Sequence, residues 1–342
     1  MSTKSTVKIA ILAAIMGLIA ACQSSDRPAP PDVSHLSVNL PLVRFEQALF
    51  AADTSQLESA IQEWYTDFPV FAPCYFESVI GIAQPDRPWA GQLKRVLSFP
   101  GFRAAYDSVQ RIYPDVTTLQ SELEQAFRYH SYYHPDKPVP AVYTFISEYG
   151  YGAVACSDSV LGIGLDLFLG EDFSFYPALQ FPKYLTKRMT REHILPSVMK
   201  VYWQSYLPEP GPGQALLDHL LYHGKLLYYL DLVLPNTPDR YKTGYTAAQQ
   251  EWVETNEGEI WAYLLDKDRL YETRYGDFAY LINEGPTTQG MPSESPGKVG
   301  RWVGWQMVRA YREAYPEEPL DKLWRMTDGQ AFLEKARYKP GR

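Results

Sequence analysis

Residues 214–232 form the segment that most restricts how this chain can fold. The segment predicts a helix with leucines on every face: Leu216, Leu217, Leu220, Leu221, Leu226, Leu227 and Leu230. A helix that is apolar all round is buried rather than exposed at the surface. We therefore expect a largely helical domain in which other elements pack around this helix.

The same helix carries polar side chains, which must find partners when they are buried. Asp218, Tyr222 and Lys225 share one face, and His219 and His223 lie four residues apart on a neighbouring stripe. Two imidazoles at this spacing can hold one zinc ion. No glutamate follows the first histidine as it does in metalloproteases, so the favoured interpretation is a pair of histidines that are hydrogen-bonded between packed helices.

A second predicted helix, residues 246–265 with Thr246 as its N-cap, has two polar side chains in an apolar stripe. Asn256 and Glu257 each lie four residues from apolar side chains on both sides. A half-buried carboxylate needs a partner, so Glu257 is expected to pair with Lys225, a histidine or an arginine. This pairing is either a structural lock, which we favour, or part of a zinc site made by His219, His223 and Glu257.

Residues 294–314 predict a helix that begins at Ser295 as N-cap and Pro296 at the first position. Gly300 and Gly304 share one face and permit close approach of another helix, because two interior glycines otherwise cost about 1 kcal/mol each. The segment also holds two arginines that flank a tryptophan and could stack on it. Its interaction residues are Gly300, Arg301, Trp302, Gly304, Trp305 and Arg309. They form either an internal packing seam or a docking surface for another protein.

Residues 139–165 differ from the rest of the chain because they are rich in β-branched and aromatic residues. Runs at 141–146, 152–156 and 160–165 predict a small antiparallel sheet. Amphipathic helices are expected before it, the first over residues 42–52, with His130 and His134 at the surface or as caps. The predicted fold class is α+β, predominantly helical, with a helical part over 39–138 and a sheet plus helices over 139–342 in one globular domain.

The N-terminus predicts export from the cytoplasm. Lys4 and Lys8 precede a short apolar run, and the small residues Ala20 and Ala21 precede Cys22, which is typical of a signal peptide over residues 1–21. The cysteine after two alanines resembles the bacterial lipobox, and several acyl chains on Cys22 would anchor the chain stably. Residues 22–38, which are rich in proline, are expected to form a tether.

Composition excludes some partners and leaves others open. The net charge of −8 opposes binding to nucleic acid. The 26 tyrosines and 8 tryptophans favour a large aromatic core, with a glycan-binding groove as the alternative. Cys74 and Cys156 could form a disulfide or remain free thiols. The chain has no nucleophile elbow, no phosphate loop and no cysteine-pair metal site, so catalysis is not expected.

Several of these segments together resemble the gliding-motility lipoprotein GldB family of the Bacteroidetes type. The resemblance is carried by residues 162–170, 217–228, 252–261 and 295–309. It implies a membrane-anchored protein that is needed for gliding over surfaces, in organisms where motility is tied to type IX secretion. The partners that it implies are proteins of that machinery, with the membrane reached through the lipid.

A fainter resemblance is to zincin-type metallopeptidases. His223 and Gly224 would occupy the position of a Glu-Gly pair, but residues 190–206 hold only Glu192 and His193 and lack the His-Glu-x-x-His motif that supplies metal ligands and general base. A member without that motif is expected to have lost its chemistry.

The expected function is therefore that of an accessory lipoprotein which acts by binding protein partners, without catalysis and without a cofactor other than the lipid on Cys22. The alternatives are a zinc-dependent hydrolase and a module that binds cell-wall glycan. Gln23 rather than an aspartate follows Cys22, which favours the outer membrane over the inner membrane. Asp26 is the one acid close by, which favours the periplasmic face.

Overall fold

The computed structural model of the protein describes residues 29–82 and 89–340. The predicted signal peptide, Cys22 and the beginning of the predicted tether lie outside the described residues. From Val33 onward the chain forms one compact unit, and Val33 itself is buried. Within the described residues, no helix combines the length and the apolar character needed to cross a bilayer.

The N-terminal part of this unit is a strand followed by helices. Its elements are β1 (Leu42–Arg44), α1 (Phe45–Ala51), α2 (Leu57–Asp67), α3 (Phe71–Pro73), a π-helix (Cys74–Val79), α4 (Trp89–Ser98), α5 (Pro100–Ile112) and α6 (Thr117–Tyr133). The Phe45 ring is fully buried and lies within 6 Å of five other aromatic rings. Many aromatic side chains in this part thus form core, as the composition favoured.

The sheet follows these helices and takes in the first strand. It consists of β2 (Ala141–Phe145), β3 (Ala153–Ser157), β4 (Val160–Gly164) and β1, in the order β1-β2-β4-β3. β3 and β4 form the expected antiparallel hairpin, whereas β2 pairs in parallel with both β4 and β1. The sheet is therefore mixed rather than antiparallel, because β1 and β2 are joined by a long helical crossover.

The C-terminal part is helical. Its α-helices are α7 (Lys183–Thr186), α8 (Ile194–Gln204), α9 (Leu216–Val233), α10 (Asp239–Thr243), α11 (Ala247–Thr255), α12 (Glu257–Leu265), α13 (Tyr275–Ile282), α14 (Val299–Ala314), α15 (Leu320–Arg325) and α16 (Gly329–Ala336). Short 3-10 turns cover Leu165–Leu167, Arg191–His193 and Asp266–Tyr271. The predicted fold class, predominantly helical α+β, is confirmed.

Helix α9 is the leucine-rich helix and lies at the centre of this part, where it contacts α6, α8, α13, α14 and α16. Its closest neighbour is α14. A Cβ on Gly304 would lie 1.9 Å from the carbonyl oxygen of Leu220, and one on Gly224 would lie 2.2 Å from the carbonyl oxygen of Gly304. The two helices therefore cross backbone to backbone, as the glycine spacing in the second helix predicted.

Some predicted boundaries were wrong. Residues 42–44 are a strand rather than the first turn of a helix, and the helix predicted over 246–265 is two helices that meet at Asn256. Thr246 is the N-cap of the first, as predicted, and its hydroxyl accepts a hydrogen bond from the Gln249 amide. Ser295 is not an N-cap: α14 begins at Val299, after Lys298 with φ 54°. The Ser295 hydroxyl instead accepts from the Thr288 amide.

A disulfide joins Cys74 in the π-helix to Cys156 in β3, with the two Cα atoms 5.7 Å apart. The two cysteines are therefore bonded to each other and are not free thiols.

His130 and His134 are both buried, which contradicts their predicted surface position, although His134 does take the C-cap position of α6. The His130 ring contacts the hydroxyls of Tyr202 and Tyr229.

Candidate functional site

Asp218, the first residue of the predicted polar cluster, joins two helix N-termini. Its carboxylate accepts hydrogen bonds from the amide of Ala215, at the start of α9, and from the amide of Gly329, at the start of α16. A carboxylate is stabilising at such a position because it satisfies amides that have no partner within the helix. Asp218 therefore docks the C-terminal helix on the central helix.

Lys225 does not meet Glu257. Its ammonium group is buried and donates to the carbonyl oxygens of Trp324 and Met326, at the end of α15. Burial lowers the pKa of Lys225 to about 8. The lysine thus satisfies carbonyl groups at the end of α15, where a cation is favourable.

Glu257 and Asn256 lie at the junction of α11 and α12, and the predicted pairing of Glu257 with Lys225, a histidine or an arginine is wrong. The Glu257 carboxylate accepts a hydrogen bond from the Tyr338 hydroxyl at 2.6 Å. The Asn256 side chain donates to the carbonyl of Trp252 at 2.8 Å. Both residues hold local structure: the first fixes the chain after α16, and the second ends α11.

The two histidines of the cluster are in different surroundings. His219 is 8% exposed and packs against the rings of Phe278 and Tyr275, and burial lowers its pKa. His223 contacts the Tyr222 ring edge-on, while cationic side chains surround it. Burial and then Arg301 and Lys200 hold the pKa of His223 well below its ordinary value. A field that opposes protonation also opposes a divalent metal ion.

The predicted seam in α14 is an internal packing interface. Gly300, Trp302, Gly304 and Trp305 are all buried, so the docking-surface alternative is wrong for these residues. Arg309 lies with its guanidinium carbon 3.5 Å from the centre of the Trp305 ring, as the spacing allowed. Arg301 does not stack there but donates to the carbonyl of Ile282.

Among the residues that the structure describes, two carboxylates and two cationic side chains pair in a network beneath this seam. Arg309 donates to Asp231 and Asp239 at 2.8–3.0 Å, and Lys242 donates to Asp231 at 2.8 Å. The Trp305 indole also donates to Asp231. Burial alone would raise the pKa of Asp231, but Arg309 and Lys242 hold it below the ordinary value. The network is paired and buried, which is typical of a structural lock.

The strongest concentration of unbalanced charge lies where α8, α9 and the start of α14 face each other. Two adjoining cavities of about 190 and 360 Å³ share Lys200, Lys242, Thr243 and Lys298 as lining residues. We call them together the Lys200 cleft. His223 and Arg301 line the smaller cavity, and Arg188 and His193 line the larger.

Glu284 balances part of this charge. Its carboxylate lies 2.9 Å from Arg188, 2.8 Å from Lys298 and 3.9 Å from Arg301. Although burial raises the pKa of Glu284, Lys298 and Arg188 hold it far below the ordinary value. Lys200, by contrast, makes no hydrogen bond or ion pair with the residues that the structure describes. Burial and then Arg301 lower the pKa of Lys200 to about 8.

Sequence reasoning found His223 and Arg301 of this cleft but missed Arg188, His193, Lys200 and Lys298. Lys200 interrupts the otherwise apolar sequence of residues 198–203, and this interruption was the available signal. The contacts of Lys298 with Glu284 could not be read from spacing, since they depend on how α13 and α14 are joined.

Across residues 29–82 and 89–340, no group of three or more His, Cys, Asp or Glu side chains is arranged to hold a metal ion. No curated protein and no solved structure matches the chain. The model of one family, described as gliding motility protein GldB, matches residues 26–340. This family is one of gliding-motility lipoproteins of the cell envelope. Because the match takes in almost all of the 342 residues, the chain belongs to the GldB family of gliding motility proteins.

Proposed function

We propose that this protein is an accessory lipoprotein of the gliding and type IX secretion apparatus, which acts by binding protein partners. An acyl anchor on Cys22 holds it at the membrane, most favourably at the periplasmic face of the outer membrane. The single observation that carries the proposal is the family match over residues 26–340.

The surroundings of the predicted polar residues support a role without catalysis or a metal cofactor. Asp218, Lys225, Asn256 and Glu257 each satisfy a backbone group or a tyrosine that holds the fold together. A zinc site at His219, His223 and Glu257 would need these groups to be free and the field around them to favour a cation. The cations around His223 produce the opposite field.

A genetic complementation experiment tests the proposal. A gliding host that lacks its own family member is supplied with this chain, and colony spreading and the secretion of a type IX cargo protein are measured. We expect the chain to restore both. The control is a chain with Lys94→Gln, a change at an exposed position, which should restore both equally well.

The proposal is wrong if the chain accumulates in the envelope of the deletion host and restores neither process. Crosslinking in the same cells supplies the second measurement. The partners joined to the chain should be components of the motility or secretion machinery, and they should be lost when that machinery is deleted.

A further inference from the structure

The charges that line the Lys200 cleft do not cancel. Arg188, Lys200, Lys298 and Arg301 supply four cations, against the carboxylates of Glu284 and Glu209. Lys242 adds none, because it belongs to the balanced network with Asp231, Asp239 and Arg309. Among the described residues, an excess of two positive charges remains in a protein whose net charge is −8.

Several nitrogen atoms in the cleft are left without a partner. The Lys200 ammonium and both ring nitrogens of His223 make no hydrogen bond to the described residues. His193 is 7% exposed, and its Nδ1 contacts the Thr190 hydroxyl at 3.0 Å, while its Nε2 is buried and has no partner there. The half-buried Lys200 ammonium therefore lies open to the cleft, where it can donate to a ligand that supplies acceptors.

The larger cavity has an apolar wall next to the cationic side chains of the cleft. Its apolar lining comes from the loop after the sheet and from α7 and α8: Leu167, Phe168, Phe181, Leu185, Met189 and Val201. A volume of about 360 Å³ is within the usual range for small-molecule sites, which are mostly apolar with a few polar groups that fix orientation. Charge and apolar surface thus lie side by side in one cleft.

From this geometry we propose that the Lys200 cleft binds a phosphate monoester that is carried on an apolar chain, with the phosphate in the cationic part and the chain against the apolar wall. A phosphate monoester carries a charge of about −2 near neutral pH and three strong acceptor oxygens. It therefore matches the charge excess, and its oxygens can accept hydrogen bonds from the Lys200 ammonium. The proposal is independent of the gliding function.

Other classes of ligand fit less well. A metal ion is repelled by four cations. A carboxylate brings one negative charge and leaves half of the excess uncompensated. Inorganic phosphate satisfies the cations but leaves the apolar wall in contact with water, which is unfavourable compared with covering that wall by an apolar chain.

The test uses the full chain in phosphatidylcholine nanodiscs, and hexyl phosphate as the probe in isothermal titration calorimetry. We expect hexyl phosphate to bind at least about tenfold more tightly than inorganic phosphate, hexanoate or hexanol. Lys200→Met should weaken hexyl phosphate binding at least about tenfold. Lys94→Met, at an exposed lysine outside the cleft, should leave it unchanged. The thermal transition of each variant shows that it is folded.

Proton uptake gives a readout that a structural lysine would not produce. At pH 8 Lys200 is about half protonated, and a bound phosphate should restore its charge, so binding should take up about half a proton. The uptake is measured in two buffers of different ionisation enthalpy, and it should fall in Lys200→Met. The other charged or titratable groups that line the two cavities or act on Lys200 are Arg188, Lys242, Lys298, Arg301, Glu209, Glu284, His193, His223, Tyr149, Tyr241 and Tyr245.

Absence of hexyl phosphate binding, or equal binding to the wild type and to a folded Lys200→Met variant, overturns the proposal. If hexyl phosphate does bind, nanodiscs that contain phosphatidic acid identify the source of the phosphate. If they compete with hexyl phosphate, the occupant is a membrane lipid; if they do not, it is a soluble phosphate ester. Either result supports the site.

Discussion

The replacement Lys200→Met should stabilise the protein, because it removes a half-buried charge that has no partner among the described residues. Lys200 has no partner among the described residues, and its pKa falls from the ordinary 10.5 to about 8 because of burial and the nearby Arg301. Methionine keeps the length of the chain and has a similar helix propensity. The change therefore removes an unfavourable charge and little else.

The size of the effect follows from the pKa. A fall from 10.5 to about 8 corresponds to about 3 kcal/mol at 1.4 kcal/mol per pH unit, and the partial exposure of Lys200 reduces this to about 2 kcal/mol. Below pH 8 both the folded and the unfolded chain hold the proton, so the full cost is present. Between pH 8 and 10.5 the lysine is protonated more fully in the unfolded chain than in the folded chain, so the cost of Lys200 falls as the pH rises.

Urea unfolding of both proteins at pH 7, 8, 9 and 10 measures this difference. Lys200→Met should exceed the wild type by about 2 kcal/mol at pH 7, and the gap should close as the pH approaches 10.5. Lys94→Met serves as the matched control and should change stability little at any pH. A variant that is less stable than the wild type, or a gap that does not vary with pH, would refute the reasoning.

Three further predictions concern stability, each measured by urea unfolding. Gly304→Ala should destabilise by about 3 kcal/mol, because its Cβ would meet backbone at 1.9 Å, whereas Gly258→Ala, with nothing within 4 Å, should not. Replacing Cys74 and Cys156 by alanine should cost about 4 kcal/mol, from the 82-residue loop that the disulfide closes; an unchanged midpoint would contradict this. Burial raises the pKa of Asp166 to about 7, so the stability of the wild type relative to Asp166→Asn should fall as the pH rises from 4 to 7; a difference that does not vary with pH would contradict this.

The sequence predicted those parts of the fold that depend on one element at a time. The all-round leucine pattern located α9 within about two residues and correctly made it central. The spacing of Gly300 and Gly304 predicted close approach of a second helix, because two glycines on one helix face destabilise the helix unless close packing offsets their cost. Arg309 stacks on Trp305 since four residues make one helical turn.

The strand β1, the partner of Glu257 and the Lys200 cleft depend on contacts between segments that are distant in sequence, and periodicity does not encode such contacts. The pattern of residues 42–44 predicted helix because β1 forms only against the edge of β2, whose paired residues lie 100 positions later in the chain. Glu257 met Tyr338 rather than a cation because the C-terminal tail returns to α12. The Lys200 cleft was missed for the same reason: its cations come from separate elements and are brought together only by packing.

The most direct test of a lipid-held envelope protein is the partitioning of a Cys22→Ser variant. The variant and the wild type are expressed in the same gliding host, and the amount of each in the membrane pellet is measured after alkaline carbonate extraction. Lipid anchoring predicts that the wild type and a Gln23→Ala control stay in the pellet, while Cys22→Ser is released to the soluble fraction. Retention of Cys22→Ser in the pellet at the wild-type level would contradict it.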